Sequence, residues 1–367
     1  MGIKRREAAE RRHILKKEIN TSACAAKRTS IGGQALIEGI MMRGPKISAM
    51  AVRNPEGEIV LEKWENESAK RPKICKWPFV RGIFNFIDSM RAGYKALMHS
   101  AEIAGLEEVK VENDPGTQAE ENDAQETTSA NPTKKGSKNA DAKAPWYFSV
   151  LMVLSALLGV VIAVVLFMYL PSQLYSWLSL ALPALEGKYL VRAIFEGVLR
   201  ILIFVCYMAA VAMMKDIKRT FMYHGAEHKT IFCYEKGLPL TVENVKKQQR
   251  FHPRCGTSFL ILMLLVSIVI SMFIRIDNAF LRTGIKLLLI PVIVGIGYEM
   301  IRLAGRKDNL FTRIMSAPGM WLQRISTVEP AEDEMIECAI LAFMEVLPEE
   351  ELEIERAKIA QDEEQIS

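Results

Sequence analysis

Five residues that can bind a metal or transfer a proton lie in one stretch of this sequence: His224, Glu227, His228, His252 and Cys255. The chain has five histidines, and three of them fall here. His224 and His228 are four positions apart, a spacing that places two side chains on the same face of a helix. Imidazole nitrogen and thiolate sulfur are the ligands that zinc prefers. The stretch therefore predicts a divalent metal site, with zinc as the first candidate.

His224, Glu227 and His228 form the pattern HxxEH, which is typical of inverted zinc proteases. In that pattern the two histidines bind the metal and the glutamate is the general base, so we expect Glu227 to be catalytic. The candidates for further ligands are His252, Cys255 and Glu299. Four protein ligands would make the site structural, whereas three would leave a position for water. A third interpretation is that the histidines form hydrogen bonds that order the segment without any metal.

Apolar residues are concentrated in runs long enough to cross a bilayer. The predicted spanning segments are 145–170, 193–214, 257–274 and 287–305. The second carries Glu196 and Arg200 one turn apart, and Arg192 lies a turn earlier, so we expect a structural ion pair there. The net charge is +4, which gives no general signal for nucleic-acid binding.

Lys and Arg are unevenly distributed between the segments that connect these spans. Residues 215–256 contain nine of them, against two in 171–192 and three in 275–286. Cytoplasmic segments of membrane proteins carry the excess of positive charge. We therefore expect a multi-pass protein of the inner membrane, with both termini and the 215–256 loop in the cytoplasm. Reduced cysteines are typical of that compartment, so Cys255 would be available as a thiolate.

The composition divides the chain into six parts. They are a basic N-terminal tail (1–28), a Gly-rich turn and β-hairpin element (29–66), an amphipathic interfacial helix (77–105), a disordered linker (107–145), the four-helix transmembrane domain (146–305) and a cytoplasmic helical tail (306–367). The fold class is therefore a mainly α membrane protein with about four transmembrane helices, a small β-hairpin element and interfacial helices. The lipid bilayer is the expected partner, and the basic tail could contact anionic lipid.

Three further polar residues are candidates for the site. Glu38 lies in an apolar stretch flanked by glycine, where a buried carboxylate without a partner would be costly. It therefore turns to solvent or meets a cation or a metal. Arg43 in the same segment could approach the same face, and Arg254 stands between His252 and Cys255.

Four blocks of this sequence, 32–45, 223–229, 250–258 and 317–324, resemble the YqhQ family of bacterial multi-pass membrane proteins, a conserved domain of unknown function. The resemblance covers most of residues 29–348 apart from the linker. It implies a predicted metal-dependent enzyme without an established reaction. No polar residue singled out above departs from the family pattern.

The leading hypothesis is a membrane protein with a cytoplasm-facing metal site, a metal-dependent enzyme that acts near the membrane interface. Its proposed ligands are His224, His228 and His252, with Cys255 or Glu299 completing the shell, and Glu227 is the general base if the enzyme is a hydrolase. The alternative is a non-catalytic membrane scaffold, in which a structural metal or hydrogen-bonded histidines order the 215–256 loop. A transporter is a weaker third hypothesis, because no pair of broken helices with inverted symmetry is visible in the sequence.

Overall fold

The structure, a computed structural model, describes residues 29–66, 75, 77–106, 146–253, 255–306 and 309–366. The predicted basic tail (1–28), the predicted linker (107–145) and Arg254 lie outside the described residues. The strands are β1 (Gly32–Leu36), β2 (Gly39–Arg43), β3 (Ile47–Arg53) and β4 (Ile59–Glu65). The helices are α1 (Val80–Ile103), α2 (Trp146–Val164), α3 (Leu170–Ala181), α4 (Tyr189–Ala212), α5 (Lys215–Glu235), α6 (Val242–Lys246), α7 (Gly256–Ser271), α8 (Ala279–Leu288), α9 (Ile290–Arg306), α10 (Leu310–Ser326), α11 (Asp333–Glu345) and α12 (Glu349–Ile366).

The Gly-rich element is an antiparallel sheet of four strands in the order β1-β2-β3-β4. The predicted hairpin corresponds to β3 and β4, whose turn is closed by a hydrogen bond from the Gly57 amide to the Asn54 carbonyl. The sequence missed the pairing of β1 with β2, which surrounds a turn at Ile37 and Glu38. A Cβ on Gly39 would lie 2.4 Å from the Ala51 carbonyl oxygen, so glycine is needed at this position of β2, which pairs with β3.

Both faces of this sheet are buried, which explains why β2 and β3 are almost continuously apolar. Ile40 and Ala51 belong to a core that also contains residues of α5 and α11. Met41 and Met50 point to the other face and pack in a second cluster with Ala96 of α1. The sheet is therefore held between α1 on one side and α5 with α11 on the other.

Helix α1 packs through small residues and leaves large apolar residues exposed. Gly82 and Gly93 are buried, and added Cβ atoms there would lie 2.7 Å from Tyr298 Cβ and 2.2 Å from Gln34 Oε1. Phe79, Met90 and other large apolar side chains on and beside the helix are exposed. The buried face of this helix is thus formed by small residues, and its large apolar side chains lie on the exposed face.

Two helices are long and apolar enough to cross a membrane: Leu154–Ala181, with 28 residues, and α4, with 24 residues. The first runs from α2 through a π-helical turn into α3. Helices α8 and α9 pass the same test as a pair, although they are bent by 49°. Helix α7 has 16 residues, and its length of about 24 Å falls short of the roughly 30 Å apolar core of a bilayer. The described residues supply two or three candidate spans, where the sequence predicted four.

Candidate metal centre

The HxxEH pattern lies on α5, a long helix in the segment that the sequence interpreted as a loop. The helix begins three residues after α4 ends, and residues 225–231 are buried on it. The rings of His224 and His228 face the same way, and their centroids are 4.5 Å apart. The spacing of the two histidines therefore has the structural consequence expected of it.

Cys255 joins the two histidines at the start of α7. Its sulfur lies 3.1 Å from His224 Nε2. One ligand atom from each of His224, His228 and Cys255 lies within 4.8 Å of the other two, so the three side chains could hold one metal ion.

The hydrogen bonds of the two imidazoles are those of metal ligands. His224 Nδ1 donates to the Ser326 carbonyl oxygen over 2.8 Å, and His228 Nδ1 donates to the Arg250 carbonyl oxygen. These bonds hold a proton on each Nδ1, which makes Nε2 the nitrogen that a metal would bind. His228 Nε2 is buried and has no hydrogen-bond partner among the described residues. The donor set and the orphaned nitrogen therefore fit a metal such as zinc.

Electrostatics in this group favour a thiolate. Burial alone would raise the pKa of Cys255, but the neighbouring His224 and His228 lower it well below its ordinary value. Burial lowers the pKa of His224, but the charge of the Cys255 thiolate and its hydrogen bond outweigh burial and raise that pKa to about 9. Cys255 is also the N-cap of α7, where the helix dipole stabilises negative charge. The thiolate is the form that binds metals.

Glu227 lies beside this group without being one of the three residues whose ligand atoms meet. Its side chain is buried, and burial raises the pKa of its carboxyl. The Gly33 amide donates to the carboxyl group, while Oε2 has no hydrogen-bond partner within the described part of the chain. A Cβ on Gly33 would lie 2.7 Å from Glu227 Cδ. The glycine in β1 therefore allows the sheet to support the glutamate, a role that the sequence did not reveal.

Two predicted ligands do not supply any of the three converging atoms. His252 lies next to the group, with its ring centroid 5.6 Å from that of His228 and its Nε2 3.8 Å from Glu235 Oε2. Glu299, on α9, accepts two hydrogen bonds from the Arg81 guanidinium, and the one from Arg81 Nε to Glu299 Oε1 is 2.6 Å long. The Arg81 guanidinium thus satisfies Glu299 at the contact of α1 with α9. Of the three candidates for a further ligand, Cys255 is the one whose ligand atom meets those of His224 and His228.

The other predicted residues lie elsewhere. Glu38 has a φ of 49° in the turn between β1 and β2, and its carboxylate accepts hydrogen bonds from Arg219 and Tyr223 on α5. It therefore meets a cation, one of the two outcomes considered for it. Arg43 lines a separate cavity of about 940 Å³ between β4 and α1. Arg254 is outside the described residues.

Sequence reasoning missed two residues that position the site. Gln323 is fully buried on α10 and forms 2.7 Å hydrogen bonds with both the amide and the carbonyl of His252, fixing the segment that leads to Cys255. Gly225 lies under the chain that follows α10, and a Cβ there would be 2.0 Å from the Val328 carbonyl oxygen. Gln323 lies in the sequence block 317–324, which was a signal of its importance without indicating its role.

The fold and the site define a mainly helical protein with two or three apolar helices that could cross a membrane and a His/Cys group that could hold a metal. A family model described as "Protein of unknown function (DUF1385)" matches residues 77–349. The "Uncharacterized protein YqhQ" of Bacillus subtilis (strain 168) is 33% identical over 338 residues, which cover 89% of this chain and 95% of that protein. No solved structure matches the chain. The chain therefore belongs to the DUF1385 family.

Proposed function

We propose that this protein is an integral membrane enzyme that uses a metal ion, zinc as first candidate, to hydrolyse a substrate near the membrane interface. The observation that carries the proposal is the arrangement of His224, His228 and Cys255. One ligand atom from each of the three side chains converges, and each imidazole donates its Nδ1 proton to a backbone carbonyl. Three protein ligands leave one coordination position open, as in catalytic zinc sites.

The chain's own residues divide the chemistry between them. Zinc in such a site supplies a Lewis acid. Glu227 is the group that would take a proton from water and return it to the leaving group, since its Oε2 is not engaged by another described residue. The raised pKa of its buried carboxyl suits a group that must both accept and donate a proton.

The position of the site supports action at the membrane surface. Helix α5 begins directly after α4, a candidate span, and Cys255 directly precedes the apolar helix α7. The nine Lys and Arg residues of 215–256 support a cytoplasmic location for this end, with both termini on the same side.

Alkaline phosphatase fused after Ser367 should be inactive, because that enzyme needs an oxidising compartment. An active fusion would contradict the proposed orientation.

A second candidate, a membrane scaffold with a structural metal, is favoured by the enclosure of the site. His228 is 1% exposed and Glu227 is 4% exposed. Neither the cavity between β4 and α1 nor the one beside Glu38 includes any residue of the group. Glu227 and His228 are thus enclosed, whereas His224 and Cys255 are partly exposed.

Glu227→Gln separates the two candidates, because it keeps the size of the side chain and removes the base. The enzyme proposal predicts unchanged metal content and a rate reduced by about 10²–10⁴, seen as failure to complement a strain that lacks the protein. Metal is measured on the purified protein, and the exposed Glu243→Gln on α6 is the matched control. Full complementation by metal-loaded Glu227→Gln would exclude the enzyme and support the scaffold.

A further inference from the structure

A second cluster of charged side chains lies within the apolar helices, centred on Glu196 of α4. Its carboxylate is fully buried and is contacted by four cationic side chains. They are Arg192 (Nε at 3.0 Å), Arg200 (Nη2 at 3.5 Å), Arg282 (Nε at 3.2 Å) and Lys286. Ser172 of α3 also donates to Glu196, over 2.8 Å. The expected ion pair along α4 is therefore part of a larger network that joins α3, α4 and α8.

The charges of this cluster do not balance. Three of the cations are arginines, which stay protonated at any physiological pH. Glu196 is the one buried carboxylate among the described residues of the cluster, and Asp277, 3.4 Å from Arg192 Nη1, is 76% exposed at its side chain. Burying charge without compensation is strongly unfavourable in an apolar interior. An excess of positive charge in candidate membrane helices therefore calls for an anionic partner.

Arg200 supplies the donors that such a partner would use. The side chain is 5% exposed and Nη1 donates to Ser267 over 3.3 Å. Nε has no hydrogen-bond partner among the described residues, and Nη2 forms only the 3.5 Å ion pair with Glu196, without a hydrogen bond to a described residue. Thr283 Oγ1, on the buried face of α8 beside Arg282, is likewise buried without one. Arg282 differs, since its guanidinium donates to backbone carbonyls of residues 271, 274 and 276. Arg200 is thus the arginine with donors to offer.

The helices around the cluster are irregular, which is a separate observation. A π-helical turn at Val165–Tyr169 precedes Ser172, and α8 meets α9 at a 49° bend. Such turns and broken helices are frequent at functional sites of membrane proteins, where they bring polar groups to the middle of the bilayer. Both irregularities lie on elements that contact each other and contribute residues to the cluster.

We propose that the cluster around Glu196 binds a tetrahedral oxyanion of the phosphate type through the Arg200 guanidinium, with the surrounding cations supplying charge. The anion is either the head group of an anionic phospholipid or free phosphate, which share this chemistry. Arginine is suited to it because its planar donors match phosphate oxygens in pairs. The site is distinct from the metal centre, since Arg200 lies 12 residues, or about 18 Å of helix, before the end of α4.

The test uses the full chain purified in a neutral detergent. Calorimetric titration with inorganic phosphate, at an ionic strength held constant with chloride, measures the free anion. Native mass spectrometry of protein taken from nanodiscs of phosphatidylglycerol or of phosphatidylcholine measures the lipid. We expect one saturable phosphate, or one retained phosphatidylglycerol, per chain. Binding should weaken about tenfold in Arg200→Gln and stay unchanged in the exposed control Arg275→Gln.

Glu196→Gln gives a readout of the opposite sign and does not depend on whether Arg200→Gln folds well. Removing the carboxylate increases the positive excess, so the anion should bind several-fold more tightly, and its addition should restore the melting temperature that the variant loses. Retention of phosphatidylglycerol without phosphate binding would assign the lipid head group, and the reverse would assign free phosphate. Neither ligand bound by the native protein, or equal binding by Arg200→Gln and Arg275→Gln, would overturn the proposal.

Discussion

Replacing His228 with alanine is expected to abolish stoichiometric metal binding, measured by elemental analysis of protein purified without chelators. His228 offers an Nε2 atom that is buried and has no hydrogen-bond partner in the described part of the chain. Loss of a hydrogen bond that merely orients a metal ligand costs about 10–100-fold in metal affinity, so loss of the ligand itself should exceed about 100-fold. Cys255→Ser should have the same effect, because it removes the proposed sulfur ligand, which lies 3.1 Å from His224 Nε2.

Two other histidines provide controls for this experiment. His99 lies on α1, outside the proposed metal centre, and pairs with Glu62 and Glu102, so the variant His99→Ala should keep its metal. His252→Ala should also keep most of its metal, because His252 Nε2 is directed toward Glu235. If His252→Ala lost its metal and Cys255→Ser kept it, the third ligand would be His252 and not Cys255.

Replacing Gly225 with alanine is expected to destabilise the protein by about 2–3 kcal/mol or more, seen as a lower melting temperature in detergent. The new Cβ would be 2.0 Å from the Val328 carbonyl oxygen, which belongs to backbone and cannot rotate away. The segment would have to move, although its amide donates to the Phe221 carbonyl over 2.9 Å. Because Ser326 in the same segment accepts from His224, metal affinity should fall as well.

Gly284 of α8 is the matched control, a helical glycine with no atom within 4 Å of an added Cβ. Gly284→Ala should leave stability unchanged or raise it by up to about 1 kcal/mol, the difference in helix propensity. An equal loss from both substitutions would show that the effect at Gly225 does not come from the Val328 contact.

The local part of the site could be predicted from the sequence. The spacing of His224 and His228 determines that they share a helix face, and no tertiary contact is needed for that. The choice among His252, Cys255 and Glu299 could not be made, because it depends on contacts between distant elements. Gln323 of α10 fixes the backbone at His252, and Arg81 of α1 occupies Glu299.

The fold was predictable to a similar extent. Mainly helical structure with long apolar helices follows from composition, and the β3–β4 hairpin follows from its turn residues. The pairing of β1 with β2 was hidden by glycines such as Gly33 and Gly39, whose positions reflect close approaches of Glu227 and Ala51. The count of spans depended on where helices end, since α7 is short and α8 bends into α9. Apolar content alone does not report these limits.

The most direct test of the central claim is X-ray absorption spectroscopy at the metal edge of the purified native protein. A metal held by His224, His228 and Cys255 should show one sulfur neighbour at about 2.3 Å and imidazole nitrogens at about 2.0–2.1 Å, the distances typical of zinc. The sulfur signal should disappear from any metal that remains in Cys255→Ser. A native protein that carries no metal, or a metal with nitrogen and oxygen neighbours and no sulfur, would contradict the proposed centre.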